Sequence, residues 1–376
     1  MVRPATGRLG AAGVLLGTAL SLVGFTWDIQ WHVDVGPDTF FTLSHLMVYA
    51  GSAIAGIASL SMVLLATFAS KAGRPIDEIA GGRPVRVFRT FTAPLGYLIS
   101  GIGSAMFLLY GLVDLWWHSI YGFDAVLDSP PHIALFTSVT VTMVGLIIVF
   151  GNALDSRWGQ IGLLISIPML MTWTPLTANV FGVIPLPFDG TLAAMITFLV
   201  VLLMFGRAVF GRPGAAVAIA VVLGAMQAAL WWFAPWSAKA YASFVGLPLR
   251  DALGNPPPQL PSHIPMFMIG VALAVEGVLI LGGRRGWSVR WMPQIAGAVG
   301  GLILVESFLV QFTLVNGDPA PGASTVLLGG ILGLLFGALG GFLAWRLAGI
   351  LKEGYRIEPG LTVPANRPLI VREGLS

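Results

Sequence analysis

The sequence predicts an all-α protein: a polytopic transmembrane helix bundle of about ten helices, built from repeated helical hairpins, with both termini cytoplasmic. Three observations predict it. Of the 376 residues, 56% are hydrophobic and only 10% charged, and the mean hydropathy is +0.86; an average soluble domain has about 25% charged residues. Apolar runs of about 20 residues recur along the chain, each long enough to cross a hydrocarbon core of about 30 Å. Finally, the cations are segregated. Alternate connecting segments hold Lys71, Arg74, Arg83, Arg86, Arg89, Arg157, Arg207, Arg212, Arg284, Arg285, Arg290, Arg346 and Lys352, while the intervening loops hold only Lys239 and Arg250. Cytoplasmic loops carry the excess of Lys and Arg, so this asymmetry orients the chain. It also accounts for the net charge of +3 without a nucleic-acid partner. The lipid bilayer is the partner that composition requires, and the basic segment 71–89 is read as a solvated inner loop.

The runs cover 9–31, 43–70, 92–119, 131–152, 159–180, 189–209, 214–235, 262–283, 293–315 and 323–347. The first, behind Arg3 and Arg8, has the outline of a signal peptide. No small-x-small cleavage site closes it, and its sequel is repeated further on, so it is read as a retained helix. The fifth is the weakest, interrupted by Pro168 and Pro175. The last carries Gly329, Gly333, Gly337 and Gly341 at four-residue spacing, a close helix-packing face. This divides the chain into paired hairpins over 1–152, additional transmembrane helices over 153–347 and a cytoplasmic tail over 348–376.

The paired hairpins carry the chemistry. Asp28, Trp31 and His32 end the first apolar run, Gly36 and Asp38 follow, and Ser44-His45 opens the second run. Asp114, Trp117 and His118, then Gly122 and Asp124, then Pro131-His132 repeat the pattern with one extra loop residue. On a helix, i and i+4 lie on one face, so each Asp and His can address one ion, and a His on the returning helix faces them. Two imidazoles and a carboxylate suit copper, zinc or iron(II), and three ligands leave positions open. The metal ligands are therefore expected to be Asp28, His32 and His45, then Asp114, His118 and His132. Asp38 and Asp124 are read either as groups that orient an imidazole or as ordinary loop residues. The chain has no cysteine, which excludes thiolate sites and disulfides. All five histidines fall on the outer side of the predicted topology. The competing account, polar residues in the wet interface with Trp31 in an aromatic belt, explains neither that bias nor the repeat.

A degenerate third copy spans 229–283. Ala229 and Phe233 replace Asp and His, and His263 opens the next run; no equivalent metal site is expected there. Glu276 and Glu306 lie within apolar runs and need partners or a water-filled cavity.

The run Asp28, Trp31, His32, Asp38, Thr39, Phe41, Thr42, Ser44 and His45, ending near Tyr49, resembles the signature of a copper-ligating membrane subunit of the copper membrane monooxygenases, the particulate methane and ammonia monooxygenases. The resemblance covers roughly residues 25–135. It implies copper ligation by Asp28, His32 and His45. It also implies a second site at Asp114, His118 and His132, where the family has Asn in place of Asp114. It implies a bacterial plasma membrane, an apolar substrate and partner subunits bearing an exported copper-binding domain. The later helices have no counterpart in that family's membrane subunit.

Three functions are compatible with these residues. One is a copper-dependent oxygenase, or its site-bearing subunit, oxidising a small apolar substrate with O2. Another is a non-enzymatic metal-binding or delivery protein. The third is a zinc-dependent membrane hydrolase, with Asp38 or Asp124 as general base.

Overall fold

A computed structural model describes residues 4–76, 81–122, 128–250 and 256–355. Each apolar run becomes a helix: α1 (Pro4–Asp34), α2 (Leu43–Lys71), α3 (Leu95–Tyr121), α4 (Pro130–Gly151), α5 (Arg157–Asn179), α6 (Gly190–Phe210) and α7 (Ala215–Val245). After the four-residue α8 (Gln259–Ser262) come α9 (Met268–Arg284), α10 (Met292–Gln311) and α11 (Ala323–Tyr355). Among the described residues, nine helices are long and apolar enough to cross a membrane. The remaining run departs from expectation: α9 has 17 residues, and His263 caps the end of α8 instead of opening the next helix. Pro261 and Pro265 flank that cap, and proline breaks helical hydrogen bonding. By contrast, α5 continues through Pro168 and Pro175, which neighbouring helices allow inside a bundle.

The bundle is built from hairpins. α1 packs along α2, α3 along α4 and α10 along α11, and α2 also meets α3. The hairpins close through small residues. A side chain at Gly17 would strike the backbone of Gly51 and Ala55; one at Gly103 would strike that of Ser138 and Thr142. Gly17 and Gly103 stand at one offset before Asp28 and Asp114, and their contacts stand at one offset after His45 and His132. The two hairpins therefore share a packing register. The glycine face of α11 works similarly, with Gly337 against Gly297 and Gly301, and Gly341 against Pro293 and Gly297.

One apolar core runs from Ala11 to Ala348, across the junction at residue 152. α5 lies deep within it, with Trp173 fully buried. On the basic face, the Tyr97 hydroxyl donates to the Gly7 carbonyl at 2.9 Å, and Lys352 donates to the Ala208 carbonyl at 2.6 Å. Both ends of the described chain thus lie on one face. The basic connection there forms a small antiparallel hairpin, Pro84–Val87 with Phe91–Pro94, turned by Phe88 and Arg89 at positive φ. Glu276 is buried and accepts from Arg207 Nε at 2.8 Å and from the Ala216 amide at 3.1 Å. Glu306 lies against Gly330 of α11.

Candidate metal centres

The first cluster forms where α1 ends and α2 begins. Gly36, at φ +100°, reverses the chain through a conformation that L side chains rarely adopt. The Trp31 indole N–H donates to the Pro37 carbonyl at 2.9 Å and pins the loop. Trp31 is buried and packs on Tyr241, ring centroids 5.0 Å apart, so it is a structural residue and not part of a lipid-facing belt. Thr39 N–H then donates to Thr42 Oγ1 at 2.9 Å, which sets the entry to α2 and the position of His45.

Four side chains converge there. His32 Nε2 lies 3.8 Å from Asp28 Oδ2 and 3.1 Å from Asp38 Oδ2. His45 Nε2 lies 3.1 Å from Asp28 Oδ1 and 3.2 Å from Asp38 Oδ2. Asp38 is thus no outlying orienting group: its side chain is only 2% exposed, and one oxygen stands between both imidazoles. Its other oxygen, Oδ1, accepts the Thr39 N–H at 2.6 Å. Ser44, fully buried, donates its hydroxyl to Asp28 Oδ1 at 2.7 Å.

The second cluster uses the same elements. Asp114 and His118 occupy the last turns of α3, and Gly122 at φ +87° ends the helix. Ser129 caps α4, with Pro130 and Pro131 in its first turn, and His132 follows. His118 Nε2 and His132 Nε2 each lie 3.5 Å from an Asp114 oxygen, Oδ2 and Oδ1 respectively. The His132 ring stacks on Phe136, centroids 6.1 Å apart. Asp124 lies outside the described residues.

These separations fit a shared cation. In each cluster, the nitrogen and oxygen atoms lie within 4.8 Å of one another. Ligands at about 2.1 Å around a tetrahedral ion are about 3.4 Å apart. Ring orientation points the same way. His45 Nδ1 lies 3.0 Å from the Thr39 carbonyl oxygen, and His118 Nδ1 lies 2.9 Å from that of Gly122. A carbonyl only accepts, so Nδ1 holds a proton, and in its neutral form the ring turns its Nε2 lone pair toward the carboxylates. A lone pair facing carboxylate oxygens calls for a positive charge between them, either a ring proton or a metal ion. Asp38 Oδ2 and Asp114 Oδ1 are both buried beside those rings. Either satisfies the carboxylates, and both residue sets fit an ion.

The clusters share an aromatic wall. Tyr49 contacts His45 (6.1 Å between centroids) and Phe107 (6.3 Å). Phe107 meets Phe25 (5.8 Å), which meets Phe136 (6.0 Å) beside His132. Trp173 backs Phe25 at 4.9 Å.

At the third copy no cluster forms among the described residues. Ala229 and Phe233 supply no ligand, and His263 Nδ1 bonds the Gln259 carbonyl oxygen at 2.6 Å. Two amides secure the return segment instead. Gln227 Nε2 donates to the carbonyls of Pro261 and Ile264 at 2.9 and 2.7 Å. Gln311 Nε2 donates to those of Ser262 and Ile264 at 2.7 and 3.0 Å, and its Oε1 accepts the Met266 N–H at 2.7 Å.

Sequence reasoning left Ser44 without a role and placed Asp38 no closer than an orienting position. The recurrence of Gly36–Asp38 as Gly122–Asp124 was the available signal for Asp38. No family model matches the chain, and no curated protein or solved structure is significantly similar to it.

Proposed function

We propose that this chain is a copper-binding integral membrane protein with two centres on its outer face, related in role to the copper-ligating membrane subunit of the copper membrane monooxygenases and acting on a small apolar substrate with O2. The observation that carries the metal reading is the convergence of Asp28, His32, Asp38 and His45, whose nitrogen and oxygen atoms lie within 4.8 Å of one another. Copper is favoured over zinc and iron by the motif resemblance around Asp28, His32 and His45. Outer-face placement rests on the segregation of Lys and Arg. Copper at such a centre supplies one-electron redox chemistry with O2.

The protein's own residues do the rest. Two carboxylates at the first centre balance a divalent charge, and buried Ser44 holds Asp28 in position. The Thr39 and Gly122 carbonyls orient His45 and His118, the kind of outer contact that tunes ligand basicity. The Tyr49–Phe107–Phe25–Phe136 wall excludes water and offers an apolar surface to substrate.

One observation favours a non-catalytic role for the first centre. With Asp38 included, four side chains surround it, and closed four-ligand sites are characteristically structural. The hydrolase reading loses support for the same reason, because Asp38 is engaged in the cluster and is not free as a general base.

The test is metal analysis of detergent-purified protein, wild type against His32→Ala and His118→Ala. About two copper per chain, falling by about one in each variant, is the expected result. Zinc alone would overturn the copper assignment. Oxygen uptake with short hydrocarbons or ammonia then separates an oxygenase from a metal carrier.

A further inference from the structure

The helices after residue 152, with Ile29 of α1, line a half-open cavity of about 410 Å³ between α5, α6, α8 and α10, within the range of small-molecule sites. Its walls are apolar, formed by Leu176, Met195, Val305 and Leu309, while Asn179, Asp189 and His263 contribute polar groups. His263, which leads into the irregular backbone between α8 and α9, lines one side. Such backbone is tolerated at membrane depth only where it is buried in protein or lines a cavity, and interrupted helices mark binding sites in other membrane folds. Here Gln227 and Gln311 satisfy that backbone, so the segment is held rather than collapsed into the space. The adjoining rim, where Phe312 packs edge-on against the His263 ring with centroids 5.8 Å apart, is also irregular: α10 ends in a π-helical turn, Phe312–Asn316, a feature common at functional sites.

We infer that this cavity binds a small amphiphile with an apolar body and a hydrogen-bond-donating head group, received by His263. With Nδ1 committed to the Gln259 carbonyl, the His263 ring in its neutral form has Nε2 as an acceptor. Asp189 is a second acceptor, and its charge, with no cationic side chain in the lining, disfavours an anionic head. The Gln259 amide donates to Gln30 Oε1 at 3.0 Å, and Ile29 lines the cavity. The site therefore abuts the turn of α1 that carries Asp28. The inference is independent of whether the clusters hold copper.

The full chain, reconstituted in phosphatidylcholine nanodiscs, is irradiated with an alkyl diazirine bearing a phenol head, and labelled peptides are mapped. Saturable labelling is expected on the segments around Leu192–Met195 and Val305–Leu309. p-Hexylphenol should compete about tenfold better than hexylbenzene, the factor associated with one buried hydrogen bond. His263→Phe should erase that preference, and Leu309→Trp, which fills the cavity, should remove the labelling. Circular dichroism and gel filtration verify that both variants fold; Leu309→Met, close in volume, should label like wild type. Competition by dioleoylglycerol as well would identify the source as a bilayer lipid, and by hexylphenol alone as a diffusible amphiphile. Unsaturable labelling spread over lipid-facing helices, or labelling unchanged by Leu309→Trp in a folded protein, would overturn the inference.

Discussion

The two clusters stand on equivalent helices and differ in how their carboxylates are held. Asp28 is fixed by the Ser44 hydroxyl and joined by Asp38, giving two carboxylates and two imidazoles. Asp114 has Pro131 where the first hairpin has Ser44, and its Oδ1 accepts no hydrogen bond. Among the described residues, the second cluster is one carboxylate and two imidazoles. With neutral rings, the two carboxylates of the first cluster match the charge of a divalent ion. Duplicated geometry with unequal support at the carboxylate, a serine hydroxyl in one hairpin and a proline in the other, is a route to unequal chemistry.

The strongest break in that comparison is removal of the shared carboxylate. Asp28→Ala and Asp114→Ala should each cost about one metal equivalent per chain by elemental analysis, leaving the other centre loaded. Overpacking a hairpin should come next. Gly17→Leu or Gly103→Leu drives a side chain into facing backbone and should lower stability by roughly 1–3 kcal/mol, seen as a lower thermal midpoint. Metal loss should be confined to the centre of the affected hairpin; equal loss at both would show that the hairpins are not separate units.

Asp38→Asn should weaken the first centre by about 100-fold or more in chelator competition and leave the second unchanged. An unchanged affinity would return Asp38 to an outlying role. Ser44→Ala should weaken the first centre by about tenfold. The reciprocal Pro131→Ser sharpens the contrast: if a hydroxyl there reaches Asp114, the second centre should tighten by less than about tenfold. The smallest effect belongs to the third copy. Phe233→His should leave metal content unchanged, since Ala229 still supplies no carboxylate.

Much of this architecture could be read from residue order because its causes are periodic. Apolar length determines helices, and the i, i+4 placement of Asp28 with His32 and of Asp114 with His118 follows from helical geometry alone. The rest depended on tertiary contacts. Asp38 reaches the cluster because Gly36 takes a positive φ and Trp31 ties down Pro37, and neither is periodic. The shortening of α9 rests on the pairing of Gln227 and Gln311 with backbone between two prolines, partners far apart in the chain. The partner of Trp31 was not legible either: it is buried against Tyr241, a residue on α7, which the competing aromatic-belt account did not foresee. The strand pair at 84–94 was hidden within a charged loop.

The glycine contacts of the first two hairpins lie well below the clusters, where backbone meets backbone. Beside backbone, such a seam holds only short hydroxyl side chains, Ser21 and Thr142, so the distance between the paired helices is set there and inherited at the outer end. Discrimination by ionic radius would then be exerted from the middle of the bundle: an oversized guest such as cadmium would have to prise apart main chains that have no slack.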